Sequence, residues 1–320
     1  MVCHKCGKDT DNPTGQCPNS EDIPKSKNKM VTPHFMADDK AFYAHSGKVS
    51  AQVIFGFPLV MLIVVILSFI YSYAILYLPF VGYLSLILTV IFSVGIGYAS
   101  AVILQFFKTR NAIFALIFGF FIGIFALYSA WVAFEYVLFG NFFEEEVHLS
   151  RLASHPLGVW EGAKIIAERG WYQIGNIRPK GTTLWVLWAI EAFLIIFLIT
   201  YMCYVFIHDA IFCESCQGWT QDHEDTLTFR NGNEKDLVSK IVAQDLSFLD
   251  EISEVRHDDI EYYRIDFSMC CSCKELYTLS LIKINRSWKK DGKERIKEKA
   301  LLENLFISED TFDKLTGKLN

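Results

Sequence analysis

Charged side chains are nearly absent from residues 49–139 and 183–207, although they make up 21% of the whole chain. Residues 1–48 and 208–320 are polar and charged instead. A soluble domain does not contain several uncharged apolar segments of more than about 20 residues, whereas a membrane protein requires them. The lack of charge therefore excludes a single soluble globule and indicates a membrane core between two polar ends.

Signatures of catalysis are also missing. The sequence His223-Glu-Asp-Thr-Leu lacks the second His of a zinc-protease motif, and neither a Gly-x-Ser-x-Gly motif nor a phosphate-binding glycine loop occurs. The net charge of −6 gives no argument for nucleic-acid binding. The first 48 residues lack an apolar h-region, so we expect no signal peptide. We expect a protein that is not an enzyme, although intramembrane enzymes can use sparse sites.

The apolar residues form four segments that are each long enough to cross a bilayer. We predict spanning helices within Val53–Phe80 and at about Gly82–Phe107, Ala112–Phe139 and Leu184–Ile207. The first two must form a tight antiparallel hairpin, because too few residues separate them to cross a membrane. Both ends of the chain then lie on the same side, and loop 140–182 lies on the other.

Small residues line one face of the third segment and are frequent in the second. Such faces allow close approach of helix backbones in membranes. We therefore expect the second and third helices to pack closely, with a homo-oligomer interface as the alternative. The residues are Ser93, Gly95, Gly97, Ala99, Ser100 and Ala101 in the second segment, and Ala112, Ala115, Gly119, Gly123, Ala126, Ala130 and Ala133 in the third.

Cysteine placement predicts the orientation, because the numbers of Lys and Arg near the membrane are similar on the two sides. All nine cysteines lie on or near the side of the termini, and loop 140–182 has none. Thiols suit a reducing compartment. We therefore predict cytoplasmic termini and an extracytoplasmic loop. Within that loop, Ser154–Gly170 has helix signals, with Ser154 as a cap candidate, Pro156 in the first turn and Gly170 as the stop. Nearby tryptophans indicate that this helix lies at the membrane interface.

Two Cys-x-x-Cys pairs follow the last apolar segment: Cys213 with Cys216, and Cys270 with Cys273. Each pair can supply two thiolates from one tight turn, and two pairs complete a tetrahedral Zn²⁺ site. Strands are expected after both pairs, and this arrangement resembles the zinc-ribbon architecture. The resemblance implies a structural zinc. A membrane redox couple is the alternative, but it requires cysteines in the facing loop; cysteines without metal are another.

A second cysteine motif lies at the N-terminus. Cys3, Cys6 and Cys17 resemble the short zinc ribbons that precede membrane spans in many bacterial proteins. Ser20 stands where the fourth cysteine would be, and Ser is a poor zinc ligand. We therefore predict a degenerate module and a weaker second metal site.

The tail after the first cysteine pair contains further local signals. The apolar spacing predicts a helix at about Glu234–Ile252. Asp291-Gly292 is typical of a hairpin turn, and the basic residues around it form either a solvated tip or a finger for anionic lipid or nucleic acid. Ser308 is expected to cap a last helix that ends near Gly317.

Two carboxylates lie inside apolar segments, Glu135 in the third and Glu191 in the fourth. An ionisable group in hydrocarbon is costly and indicates a functional site by default. The alternatives are structural pairing inside the bundle and handling of protons or cations.

The predicted fold is an α-helical membrane bundle of four transmembrane helices with a small α+β zinc-ribbon-like cytosolic domain. Its parts are a degenerate module (1–20), a linker (21–48), a membrane domain (49–207) with loop 140–182, and the C-terminal domain (208–320). We expect a membrane-anchored binding or scaffold module in a bacterial inner membrane. Its partners would be the lipid bilayer, a cytosolic protein and, as an option, a second copy. The alternatives are an ion, proton or solute conductor and a membrane thiol oxidoreductase.

Overall fold

The structure is a computed structural model. It describes residues 41–78, 83–142, 148–170, 179–222, 227–230, 233–250, 253, 255–256, 259–288 and 294–317. The predicted N-terminal module, with Cys3, Cys6 and Cys17, lies outside the described residues. The chain divides into a helical unit, residues 45–209, and a strand-rich unit that joins residues 41–44 to the part of the chain after residue 209.

Four helices of the helical unit are long and apolar enough to cross a membrane. Their bounds follow the predicted segments closely, because a helix pairs the backbone N–H and C=O groups of such an apolar run within the run itself. Two shorter helices precede the last of them. The helices are α1 (Val53–Tyr77), α2 (Tyr83–Phe106), α3 (Ala112–Phe142), α4 (Leu149–Ser154), α5 (Pro156–Arg169) and α6 (Thr182–His208).

The expectation that the second and third spans pack closely together is wrong. Helix α6 packs along both α2 and α3, and α1 also touches both, so α2 and α3 lie diagonally and make few contacts with each other. The small residues of α2 and α3 instead allow α6 to approach both helices closely. A Cβ atom added at Gly119 of α3 would lie 2.9 Å from the Cα of Thr200, and one at Gly97 of α2 would lie 2.8 Å from the Cβ of Met202.

Helix α5 begins and ends where the sequence predicts. Pro156 is at its first position and Gly170, with φ 69°, follows its last residue. The capping position belongs to His155, not to Ser154, which ends α4. The Ser154 hydroxyl donates to the carbonyl of Arg151 at 3.0 Å.

The strand-rich unit contains two antiparallel sheets. A small one pairs β1 (Phe212–Cys213) with β2 (Gly218–Trp219). The larger one has the order β3-β5-β6-β7, with β4 also paired to β5. Its strands are β3 (Gln221–Asp222), β4 (Leu227–Phe229), β5 (Glu261–Met269), β6 (Tyr277–Trp288) and β7 (Glu294–Phe306).

One face of the larger sheet is covered by helices α7 (Glu234–Val242) and α8 (Glu309–Thr316) and by a 3₁₀ turn, Leu246–Asp250. The alternation of apolar residues along β5 and β6 directs Ile265, Phe267, Leu279 and Leu281 into this core, where each is about 1% exposed or less. This apolar interior is what holds the domain together.

The predicted helix at about Glu234–Ile252 is interrupted. Helix α7 ends at Val242, and Gln244 adopts φ 54°, which reverses the chain before the 3₁₀ turn. The apolar spacing continues across the break, since Leu237 and Ile241 before it and Phe248 after it are all buried. Periodicity alone therefore does not reveal the break.

The end of the chain matches the sequence analysis. Ser308 precedes α8, and its Oγ accepts from the backbone N–H of Thr311 at 3.2 Å. The Asp291-Gly292 turn lies outside the described residues, but the strands on either side of it pair up to Trp288 and Glu294.

Residues 41–44, which the sequence analysis assigns to the linker, extend the edge of β7. The N–H of Tyr43 donates to the carbonyl of Asn304 at 2.8 Å, and the N–H of Phe306 donates to the carbonyl of Ala41 at 2.9 Å. The Tyr43 hydroxyl also accepts from the N–H of Phe212 at 3.0 Å. The strand-rich unit is therefore built from both sides of the helical unit in sequence.

Candidate metal centre

The first cysteine pair lies on the hairpin between β1 and β2. Cys213 is the last residue of β1 and pairs with Gly218 of β2. Cys216 lies in the turn between them. Gln217, directly after it, has φ 52°, a left-handed conformation that is uncommon for residues other than Gly. This residue turns the chain back into β2, which begins at Gly218.

The second pair lies on the turn between β5 and β6. Met269 and Tyr277 are the last paired residues, and the N–H of Cys270 donates to the carbonyl of Leu276 at 3.0 Å. Lys274, directly after Cys273, has φ 53°. In both turns, therefore, the residue after the second cysteine adopts the left-handed backbone conformation.

The four sulfurs converge. The Sγ atoms of Cys213, Cys216, Cys270 and Cys273 all lie within 4.8 Å of one another, and those of Cys213 and Cys273 are 3.6 Å apart. A tetrahedral Zn²⁺ site with bonds of about 2.3 Å has sulfurs about 3.8 Å apart. The residues therefore fit a four-thiolate metal ion, and two of them, Cys213 and Cys270, are each 3% exposed.

Backbone amides point at the sulfurs. The N–H of Cys216 donates to Cys213, and those of Ser272 and Cys273 donate to Cys270. Hydrogen bonds of this kind stabilise thiolates. The turns thus supply donors to the charged form of the cysteines.

The thiols also interact with one another. Contacts with the thiols of Cys213 and Cys273 hold the pKa of Cys270 well below its ordinary value, while the contact with Cys270 raises the pKa of Cys213. Burial raises the pKa of Cys216 to about 11. Four thiolates at this distance repel one another, and a divalent cation is what allows all of them to lose their protons.

Cys271 lies beside the cluster but does not join it. It is buried, and its Sγ donates to Oε1 of Gln221 at 3.0 Å. It is not among the four cysteines whose sulfurs converge. This makes Cys271 a matched control for the four cluster cysteines.

The two carboxylates of the helical unit lie in different surroundings. Glu135 is 1% exposed, and neither of its carboxylate oxygens has a hydrogen-bond partner among the described residues. Gly162 of α5 lies against it, because a Cβ there would come within 2.6 Å of the carboxylate. Glu191 accepts a hydrogen bond from Ser85 of α2 and lines a cavity of about 60 Å³. Glu135 is not among the described residues that line this cavity.

Some residues that shape the cysteine turns or contact the two carboxylates could not be predicted from the sequence. Gln217 and Lys274 carry no signal, since Gly or Asn is usual at a left-handed position. Ser85 and Gly162 were detectable only as small residues in or near apolar segments, which does not identify the carboxylate that each one contacts.

Comparison of the chain with protein-family models, with curated proteins and with solved structures finds no match.

Proposed function

We propose that this chain is a multi-pass membrane protein whose C-terminal domain holds a structural Zn²⁺ ion and acts as a membrane-anchored binding or scaffold module. The observation that carries the proposal is the convergence of four Sγ atoms within 4.8 Å on two turns of the same design. Four protein ligands fill a tetrahedral coordination shell and leave no position for substrate, which is typical of structural rather than catalytic zinc.

The chemistry of the ligands favours zinc. Thiolates select soft or borderline ions, so a tetrahedral set of four suits zinc or iron. Zinc has no redox chemistry and fits a site whose role is to hold a fold together. A thiol oxidoreductase would use two cysteines as a redox couple; here four cysteines share one cluster.

The position of the cluster explains what the ion would do. Strands β1 and β2 form a sheet separate from the larger one, and the second cysteine pair lies on the larger sheet, between β5 and β6. An ion bound to both pairs would cross-link the hairpin that follows α6 to the body of the domain. We propose that this cross-link presents the domain as a stable surface for a cytosolic protein partner.

The membrane part of the proposal rests on four predominantly apolar helical spans of 22 to 29 residues. Free thiols in the C-terminal domain suit a reducing cytoplasm, so we propose a bacterial inner membrane with both termini on its cytoplasmic side. The proposed binding partners of this part are the lipid bilayer and, as an option, a second copy of the chain.

A conductor of ions or protons is the second candidate, because Glu135 is buried without a partner among the described residues and Glu191 lines a cavity. Against it, Glu135 is covered by α5 at Gly162. A conducting role requires access to both carboxylates.

Metal removal tests the proposed site. Purified full-length protein is treated with a zinc chelator. Unfolding of the C-terminal domain is then monitored by limited proteolysis, as the rate of cleavage in the segment that follows β7. We expect faster cleavage after chelation, restored by added zinc, because metal-binding energy in such modules is folding energy. Cys213→Ser and Cys270→Ser should behave like chelated protein, and Cys271→Ser should behave like wild type. Unchanged cleavage in the chelated protein and in both cluster variants would refute the structural role.

A further inference from the structure

A cavity of about 430 Å³ lies between α3, α5 and α6. This volume is in the range of sites that hold drug-sized molecules. Its described lining is almost wholly apolar and includes four indoles and one phenol. These aromatic residues are Tyr128, Trp131, Trp160, Trp185 and Trp188.

The indoles form a continuous series. Trp160 packs on Trp185 with ring centroids 4.8 Å apart, Trp185 on Trp188 at 5.3 Å, and Trp188 on Trp131 at 4.7 Å. Trp160 is 51% exposed, so the series leads from the surface of α5 into the bundle. Indole faces carry negative electrostatic potential and attract cations, especially those that are weakly hydrated.

A carboxylate lies at the inner end of this series. Trp185, Trp188 and Glu191 follow one another at intervals of three residues along α6, so Glu191 is about 9 Å deeper than Trp185. Glu191 lines the smaller cavity, which shares Trp131 and Trp188 with the larger one. Glu191 is the one charged side chain among the described residues that line either cavity.

We propose that the two cavities form a binding site for a lipophilic organic cation, such as a phosphonium or quaternary ammonium ion with aromatic or alkyl groups. The apolar groups occupy the larger cavity against the indoles, and the positive charge faces Glu191 across Trp131 and Trp188. This inference goes beyond the proposed scaffold role and does not depend on the metal centre.

The combination of groups selects against other ligands. A neutral lipid chain gains nothing from a carboxylate beside the cavity. An anion would be repelled by both the carboxylate and the indole faces. A small hydrated metal ion finds one carboxylate and the hydroxyls of Tyr71 and Ser85 in the smaller cavity, too few oxygens to replace its hydration shell. Only a weakly hydrated cation with apolar groups uses the whole lining.

Two probes of the same shape and opposite charge test this inference. Full-length protein in nanodiscs of neutral lipid is dialysed against tetraphenylphosphonium or tetraphenylborate, and bound probe is measured against nanodiscs without protein. We expect saturable binding of one tetraphenylphosphonium per chain and at least tenfold weaker binding of tetraphenylborate. Equal binding of the two probes, or no saturable binding of the cation, would overturn the proposal and leave an apolar cavity for lipid.

Variants then locate the site. Glu191→Gln keeps the shape of the side chain and removes its charge, so it should weaken tetraphenylphosphonium binding at least tenfold, and Glu191→Asp should retain more of it. Trp188→Leu should weaken binding by removing an indole face. Glu135→Gln is the matched control, because Glu135 is a buried carboxylate outside the described lining, and its effect should stay within twofold. Equal loss of tetraphenylphosphonium binding in both Gln variants would reject Glu191 as the charge partner. If a variant fails to fold, the comparison of the two probes on wild-type protein still decides the proposal.

Discussion

The close contact between α3 and α6 can be tested by adding one methyl group. In Gly119→Ala, the new Cβ would lie 2.9 Å from the Cα of Thr200 and 2.9 Å from the Cβ of Cys203. Favourable carbon contacts are about 3.5–4.0 Å long. The two helix backbones must therefore separate by about 0.6–1.1 Å, a displacement that the surrounding side chains have to accommodate.

The magnitude follows from two opposing effects. Extra methyl groups in a packed interior typically cost about 1–3 kcal/mol. Replacing Gly by Ala within a helix contributes up to about 1 kcal/mol in the opposite direction. Gly95→Ala in α2 isolates the second effect, because the nearest atom to its added Cβ is Cδ1 of Leu67 at 4.0 Å. We expect Gly119→Ala to be about 1–3 kcal/mol less stable than Gly95→Ala.

The assay is reversible unfolding of the full chain in mixed detergent micelles, followed by the circular dichroism of its helices. Gly123→Ala should change stability in the same direction by a smaller amount, since its Cβ would lie 3.0 Å from the Cα of Ile196. Equal stability of Gly119→Ala and Gly95→Ala would refute the packing of α3 against α6 described above.

Three further predictions concern orientation, capping and conduction. Ser150→Cys, in α4, should react with an impermeant maleimide in intact cells, whereas Ser287→Cys in β6 should react only after permeabilisation; the reverse pattern would invert the topology. Ser308→Ala should destabilise the C-terminal domain by about 1 kcal/mol in denaturant unfolding, because it removes the hydroxyl that accepts from Thr311; an unchanged midpoint would exclude a capping role. Proteoliposomes should show no proton or cation flux above empty liposomes, and a robust wild-type flux that Glu191→Gln or Glu135→Gln abolishes would replace the scaffold proposal with a conductor.

The sequence was sufficient to predict the four long helices but not their arrangement. Length and lack of charge define a membrane-type helix without any tertiary information. Which helices touch depends on matching surfaces. The small residues at Gly97 and Gly119 show that each helix can be approached closely, but they do not identify α6 as the common neighbour, because α6 contributes Thr200 and Met202 rather than a small-residue face of its own.

The cysteine cluster was predictable because its chemistry is local. Each Cys-x-x-Cys spacing specifies a turn, and two such turns require only that the strands bring them together. The sequence also assigned Cys270, not Cys271, to the second pair, and the structure places Cys271 against Gln221. The left-handed Gln217 and Lys274 could not be foreseen, since the convergence of both turns imposes these conformations against the preference of the residues.

The cavity beside Glu191 was outside the reach of sequence reasoning for a related reason. The tryptophans were interpreted as interfacial anchors, a role that each one can have alone. Their continuous contacts, and the position of Glu191 behind them, arise from the packing of α5 over α3 and α6. Trp131 and Trp160 are far apart in sequence, and no spacing rule connects them.

X-ray absorption spectroscopy of the purified full-length protein, with elemental analysis of the same sample, tests the metal centre most directly. We expect bound zinc with four sulfur neighbours at about 2.3 Å. One zinc per chain should be lost in Cys213→Ser and in Cys270→Ser and retained in Cys271→Ser. Protein that carries no metal, or zinc that persists unchanged in both cluster variants, would refute a zinc site formed by these four cysteines.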